Sequence, residues 1–101
     1  MLQNFKTFNL SVELYHECAK LKLPRHLKDQ LLRSSSSVSL NLAEGYGKRT
    51  YKDQRKYFQI SMGSLRESQA VLILADINPE SKIYKLSDHI GACLYKLINY
   101  K

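Results

Sequence analysis

The residues of this chain best suited to chemistry are cations. From Gly47 to Lys56 the sequence reads GKRTYKDQRK, which sets Lys48, Arg49, Lys52, Arg55 and Lys56 against one acid, Asp53. Tyr46, Tyr51 and Tyr57 are interleaved with them. Arginine offers a planar fork of donors and lysine a compact point charge, and both suit phosphate oxygens. Lys52, Arg55 and Lys56 recur at helical spacing, so they fall on one side of a helix beginning near Thr50, with Lys48 and Arg49 in the loop before it. A helix N-terminus adds unpaired backbone N–H groups that favour anions, and tyrosine rings can stack on unpaired bases. The pattern predicts that these five basic residues contact a nucleic-acid backbone. Nothing in it reads base edges, so the expected binding is tolerant of sequence. The plainer alternative is a solvated, charged helix start.

A second polar set is Arg33, Asn41, Glu44, Ser64 and Glu67. One reading makes Glu44 and Glu67 the carboxylates of a nuclease. The set offers no nucleophile–base pair and no metal ligands. The expectation is therefore a structural network of hydrogen bonds and ion pairs where two helices cross, and no enzyme. His16, His26 and His89 are scattered, with no second histidine four residues from any of them, so no helical metal pair is expected. Cys18 and Cys93 lie among leucines and isoleucines and read as two buried thiols. The chain contains no CxxC, GxSxG, SxxK, GxGxxG or GxxxxGK[ST] pattern, so neither a metal nor a nucleotide cofactor is expected.

These residues need elements to hold them, and the apolar spacing supplies four helices. The first spans about Phe5 to Leu21, with Leu10, Leu14, Cys18 and Leu21 on one face and Pro24 after it. The second runs from about Arg25 to Glu44, with Leu27, Leu31, Val38 and Leu42 on one side. Its run RSSSSVSLNLAEG is too apolar for a tether; small residues at Ser34, Ser35, Ser37 and Ala43 instead predict close approach of backbones. Gly45 and Gly47 end it. The third runs from about Thr50, with Asp53 placed as in a capping box, to about Asp76. Tyr57, Phe58, Ile60, Ser61, Leu65, Leu72 and Ala75 are its expected buried positions, and Gly63 is expected to mark a close helix crossing. After Asn78-Pro79 the fourth helix opens between Pro79 and Ser81 and carries Ile83, Leu86, Ile90, Cys93, Leu94, Leu97 and Ile98 as its stripe. Gly91 is expected at another close contact. Four amphipathic helices joined by short breaks predict an all-α, antiparallel up-down four-helix bundle, one domain over residues 1–101.

The bulk composition limits what this bundle can do. Hydrophobic residues are 44% and charged residues 25% of the chain, ordinary values for a folded domain that argue against disorder. Sixteen Lys and Arg against nine Asp and Glu leave a formal charge of +7, which predicts a polyanionic partner. The N-terminus lacks the apolar stretch of a signal peptide, and no window approaches the ~18 apolar residues of a membrane span. A cytoplasmic protein with no membrane partner is expected.

At Ser36 to Gln69, SSVSLNLAEGYGKRTYKDQRKYFQISMGSLRESQ, the chain resembles the four-helix-bundle family of proteins encoded in intervening sequences of 23S ribosomal RNA genes. The likeness rests on Arg33, the small run Ser34 to Ser37, Asn41-Leu42-Ala43-Glu44-Gly45, the basic Lys48-Arg49, the pair Tyr57-Phe58, and Gly63-Ser64-Leu65-Arg66-Glu67. AEG alone is a weak signal; the order and spacing of all these pieces are specific. The resemblance implies an up-down four-helix bundle. It extends to the related accessory variability proteins of diversity-generating retroelements, and so implies a homo-oligomer, a pentamer, with a basic surface for RNA or DNA. The family name describes a genomic location and not a biochemical activity. A second function fits the same charge: a protein–protein scaffold whose basic face docks an acidic partner such as a reverse transcriptase or a ribosomal component.

Overall fold

The computed structural model describes residues 1–100. After a 3-10 turn at Leu2–Asn4, the helices are α1 (Lys6–Lys20), α2 (Arg25–Tyr46), α3 (Tyr51–Leu74) and α4 (Lys82–Ile98). There is no strand among the described residues. Each boundary has a local cause. Pro24 precedes α2 in extended backbone, where its missing N–H costs nothing. Thr50 caps α3, its Oγ1 accepting from the Asp53 N–H at 3.2 Å, and the Asp53 charge lies at the positive end of the helix. Asp76 takes a left-handed φ of 60°, and the Ile77 N–H donates back to Leu72 O at 3.0 Å, which stops α3. The fourth helix opens at the late edge of the expected range, at Ser81. Asn78 Oδ1 accepts from the Glu80 N–H at 2.9 Å and holds that segment in a turn. Ser81 then caps α4, accepting from the Tyr84 N–H at 3.4 Å.

The helices pack in chain order, and α4 closes the square against α1. Cross-helix pairs show that they run antiparallel. Ser34 meets Ser68, Ser37 meets Ser64, and Val38 O accepts from Ser61, so α3 descends as α2 ascends. Ser11 against Ser39 together with Phe5 against Tyr46 gives the same sense for α1 and α2, and Gln69 against Ser87 together with Arg55 against Ile98 gives it for α3 and α4. The fold is thus an all-α antiparallel four-helix bundle, 40 Å along its longest axis. Its core is Leu14, Cys18, Leu31, Val38, Leu42, Phe58, Leu65, Leu72, Ile90 and Leu94, with Ile83 and Ile98 at the two ends of α4's buried stripe.

Between the apolar layers runs a seam of buried hydroxyls. Ser11, Ser34, Ser35, Ser39, Ser61, Ser68 and Ser87 are all buried. Ser34 and Ser68 lie 2.7 Å apart, Ser11 and Ser39 2.8 Å, and Ser61 donates to Val38 O at 2.8 Å. Gln69 bridges α3 to Ser87 and Asp88 of α4, each at 2.9 Å. A serine brings its partner backbone closer than a leucine can and satisfies its hydroxyl across the gap, so close packing leaves no polar atom stranded. No buried side-chain nitrogen or oxygen lacks a partner among the described residues.

The glycines divide differently from the sequence expectation. Gly45 lies inside α2, and a Cβ there would meet Phe58 Cε1 at 2.7 Å and Gln54 O at 3.2 Å. That is the close crossing of α2 and α3. Gly63, expected at such a crossing, is exposed, and a Cβ there would meet nothing within 4 Å. The reason is phase: Ser61 and Leu65 are both buried, and the residue midway between them on a helix points outward. Gly91 is buried, and a Cβ there would meet Leu65 Cδ2 at 3.5 Å, an ordinary van der Waals distance, so it marks a contact looser than that at Gly45. Ile60, also expected inside, is 43% exposed, and Cys93 is half-buried where Cys18 is sealed.

Candidate nucleic-acid interface

The antiparallel order brings the starts of α1 and α3 and the finishes of α2 and α4 to one end of the bundle. Lys6, Lys48, Arg49, Lys52, Arg55, Lys56 and Lys96 gather there, with Glu44 and Asp53 as the acids. Sequence spacing alone gives the strip within α3; the folding of the chain adds Lys6 and Lys96.

The five basic residues singled out from the sequence do not all do the same thing. Arg49, Lys52 and Lys56 are exposed, and none has a carboxylate within ion-pairing distance among the described residues. Lys48 is half-buried. Its ammonium lies 3.2 Å from Glu44 and 5.1 Å from the centre of the Tyr57 ring. The hydrogen bond to Glu44 comes first among the causes that hold the Lys48 ammonium above its ordinary pKa. Lys56 lies 5.6 Å from the same ring. Arg55 departs from the expected row. Its Nε donates to Ile98 O at 2.8 Å, and the Tyr51 hydroxyl donates to the same carbonyl. The last carbonyls of a helix lack partners and carry its negative end, so this cation closes α4. Lys52, Arg55 and Lys56 do share one side of α3, but Arg55 lies at the edge that meets α4.

The tyrosines also differ. Tyr46 stacks on Phe5 with ring centres 5.0 Å apart and planes at 23°, and its hydroxyl donates to Met1 O at 3.0 Å. Tyr57 is covered by the two lysine ammoniums. Tyr51 stands edge-on to Tyr100 at 6.2 Å, and Arg55, Ile98 and Asn99 complete an open cavity beside them. Sequence reasoning did not select Tyr100. The signal for it was available: α4 runs antiparallel to α3, so the end of the chain must return to the start of α3.

The second polar set is only partly brought together. Asn41 Nδ2 donates to Ser37 O at 2.9 Å and to Ser37 Oγ at 3.1 Å, and Ser37 meets Ser64 at 2.8 Å. Ser37 and Ser64 thus join α2 to α3, and Asn41 braces Ser37 from within α2. The ion pairs do not form. Arg33 is exposed with no hydrogen-bonding or acidic partner among the described residues, Glu44 turns along its own helix to Lys48, and Glu67 reaches only Gln30, at 3.4 Å. Arg33, Glu44 and Glu67 lie on the outer slopes of the α2–α3 groove, where water competes with any pairing. The serine seam beneath already joins the helices.

No group of three His, Cys, Asp or Glu lies close enough to hold a metal ion among the described residues. No helix among them is long and apolar enough to cross a membrane. Comparison with curated proteins and with solved structures gives no match. A model of the family described as 23S rRNA-intervening sequence protein does match, over residues 3–96, and the chain belongs to that family.

Proposed function

We propose that this chain is a non-catalytic cytoplasmic protein that assembles with copies of itself, as a pentamer, and holds RNA or DNA by its phosphate backbone. The observation that carries this reading is the cluster of Arg49, Lys52 and Lys56 at one end of the bundle, exposed and with no carboxylate in ion-pairing distance among the described residues. Lys48 stands beside them in the α2–α3 loop, residues 47–50. Such a cluster attracts polyanions, and its repetition around an oligomer would raise avidity through effective concentration.

Two features of the surface support self-association. Leu40 is 67% exposed on α2 and borders an apolar groove of about 170 Å³ with Val12, Tyr15, Ser36 and Ser39. Covering Leu40 and this groove with a second copy would remove their apolar surface from water. Gly63 and Arg33 lie on outer faces without any role inside the bundle. The number of copies comes from the resemblance to the accessory proteins of diversity-generating retroelements.

Light scattering together with titration of labelled RNA and DNA at low and moderate salt tests both parts. The expected result is a particle several times the 11.7 kDa chain mass, with affinity falling by a log–log slope of about −0.9 per phosphate contacted. A monomer overturns the assembly. Salt-insensitive binding, or binding unchanged when Arg49, Lys52 and Lys56 become glutamine, overturns the phosphate reading. Capture of an acidic protein that survives nuclease treatment, with no nucleic-acid binding, would favour the scaffold instead.

A further inference from the structure

We propose that the cavity formed by Tyr51, Arg55, Ile98, Asn99 and Tyr100 seats an unpaired nucleobase, so that the chain selects single-stranded over duplex nucleic acid. This rests on the phosphate-binding reading and adds to it the form of the nucleic acid.

The cavity has a volume of about 220 Å³ and opens at the tip of the bundle, where the end of α4 crosses the start of α3. That is below the ~300 Å³ of pockets that enclose whole drug-sized ligands. It suits one flat ring whose attached sugar and phosphate stay outside. Its walls are two tyrosine rings at 62° to each other, their centres 6.2 Å apart. Tyr100 is 69% exposed and Tyr51 38%. Tyr46 and Tyr95 are also exposed at this end, but Tyr46 gives a ring face to Phe5, Tyr57 is covered by Lys48 and Lys56, and the cavity is lined by Tyr51 and Tyr100 alone among these tyrosines.

The polar groups around the cavity are fixed in place. The Tyr51 hydroxyl and Arg55 Nε are both held by Ile98 O, so the Tyr51 ring and the guanidinium plane are set before any ligand arrives. Preorganisation of this kind lowers the ordering cost of binding. The bond to Ile98 uses Arg55 Nε and leaves its terminal nitrogens as donors. Asn99 uses its amide nitrogen on Tyr95 O at 2.9 Å, which leaves its Oδ1 as an acceptor. A ring carrying both carbonyl and amino groups matches that pair.

The surroundings match the remainder of a nucleotide. Lys52 and Lys56 are exposed on α3 one and five residues beyond Tyr51, so a backbone following them would carry its base past the tyrosine pair. A base inside a duplex has both faces covered by its neighbours and cannot enter. An unstacked base can, and aromatic stacking accepts every base because each has a π-face.

Three probes of one length test this over one series of salt concentrations: a single strand carrying 2-aminopurine, the same strand made entirely of abasic units, and a blunt duplex. The single strand is expected to bind roughly tenfold more tightly than the abasic strand, with a change in 2-aminopurine fluorescence. Replacing Tyr100→Leu should abolish both the preference and the fluorescence change while leaving the salt slope intact; Tyr100→Phe should preserve them. Tyr100 makes no hydrogen bond among the described residues, so its variants test the site without unpinning α4, and circular dichroism confirms their helices. Equal binding of base-bearing and abasic strands overturns the base site and leaves the phosphate reading standing. A single-strand preference that survives Tyr100→Leu and Tyr51→Leu also overturns it, because the base then sits elsewhere. Failure of all three probes to bind overturns both readings.

Discussion

The two ends of the bundle carry similar numbers of basic residues and use them in different ways. At the end where α1 and α3 finish and α2 and α4 begin, four cations have local partners, while Lys22 and Lys82 have none among the described residues. Lys20 sits 2.9 Å from Glu17, Arg25 3.9 Å from Asp29, and Lys85 3.3 Å from Glu80. Lys28 donates to the carbonyls of Ala19 and Leu21. At the tyrosine end, Lys48–Glu44 is the one ion pair among the described residues, and Arg49, Lys52 and Lys56 face solvent unopposed. The ends lie far apart along a body 40 Å long, whereas charges are screened over ~8 Å at physiological ionic strength. The net charge of +7 is therefore not an even coating but largely the field of one tip.

Removing equal charge from the two ends is the sharpest way to break that contrast. Arg49→Gln, Lys52→Gln and Lys56→Gln together should weaken binding of single-stranded nucleic acid by about a hundredfold near ~0.1 M salt and flatten the salt slope by about 3. Lys20→Gln, Arg25→Gln and Lys85→Gln together should change both by far less, since each of those charges already has a carboxylate. Equal losses from the two triples would show that net charge alone drives binding and that its placement does not matter.

Glycine substitutions probe the same contrast through packing. A methyl group at Gly45, beside the basic tip, would press on the buried Phe58 ring and on the Gln54 carbonyl. Overpacking costs about 1–3 kcal/mol, against ~1 kcal/mol of helix propensity gained. Gly45→Ala should therefore lower the melting temperature by several degrees. Gly63→Ala, with open space before it, should raise it by a similar amount, worth about 1 kcal/mol. If Gly63→Ala instead lowers both the melting temperature and the particle mass, the outward face of α3 is where copies meet.

The glycines also mark what the sequence made legible. The four helices, their order and most of the core followed from apolar spacing, because Leu14, Val38, Leu65, Ile90 and Leu94 sit on stripes that only a helix gathers. Thr50 with Asp53 announced the start of α3 by chemistry that acts within one turn. What spacing could not resolve was the phase of α3. Its polar face is interrupted by Ile60 and its buried face contains Ser61, Ser68 and Gln69, so apolar and inward do not coincide there. Gly63, expected at a close crossing, therefore points outward, and Gly45 makes that crossing. The basic strip was legible as composition, but the division of labour within it was not. That Arg55 closes α4, and that Tyr100 joins Tyr51, both depend on an end of the chain more than forty residues away in sequence.

Each end uses one cation to close a helix, and these two residues separate structural from binding charge. Lys28 is half-buried and serves two carbonyls at the finish of α1. Arg55 is exposed and serves Ile98 O at the finish of α4. A cation at a helix C-terminus contributes about 0.3–1 kcal/mol, more when sheltered. In thermal unfolding, Lys28→Gln should cost about 1 kcal/mol and Arg55→Gln about half of that. In binding, the order should reverse: Arg55→Gln weakens the complex and Lys28→Gln leaves it unchanged. A loss of binding from Lys28→Gln would place a second nucleic-acid contact at the far end.

The surface pairs Lys48–Glu44 and Lys20–Glu17, each with one half-buried partner, should give the smallest effects, and pH separates them. The hydrogen bond from Lys20 holds the Glu17 carboxyl below its ordinary 4.5. That pair contributes stability above about pH 4.5 and loses it as pH falls through the lower folded value, when the carboxylate takes up a proton. Glu17→Gln should therefore melt slightly below the parent at about pH 7 and level with it at about pH 3. The hydrogen bond to Glu44 holds Lys48 above its ordinary 10.5, so that pair contributes below about pH 10.5 and fades as pH rises beyond it. At neutral pH both pairs are intact, and their effects on binding should differ because one stands at the phosphate-facing tip. Glu44→Gln removes the carboxylate that occupies Lys48 and should tighten nucleic-acid binding severalfold, whereas Glu17→Gln should leave it unchanged. If Glu44→Gln has no effect, Lys48 remains on the Tyr57 ring and the phosphate contacts belong to Arg49, Lys52 and Lys56 alone.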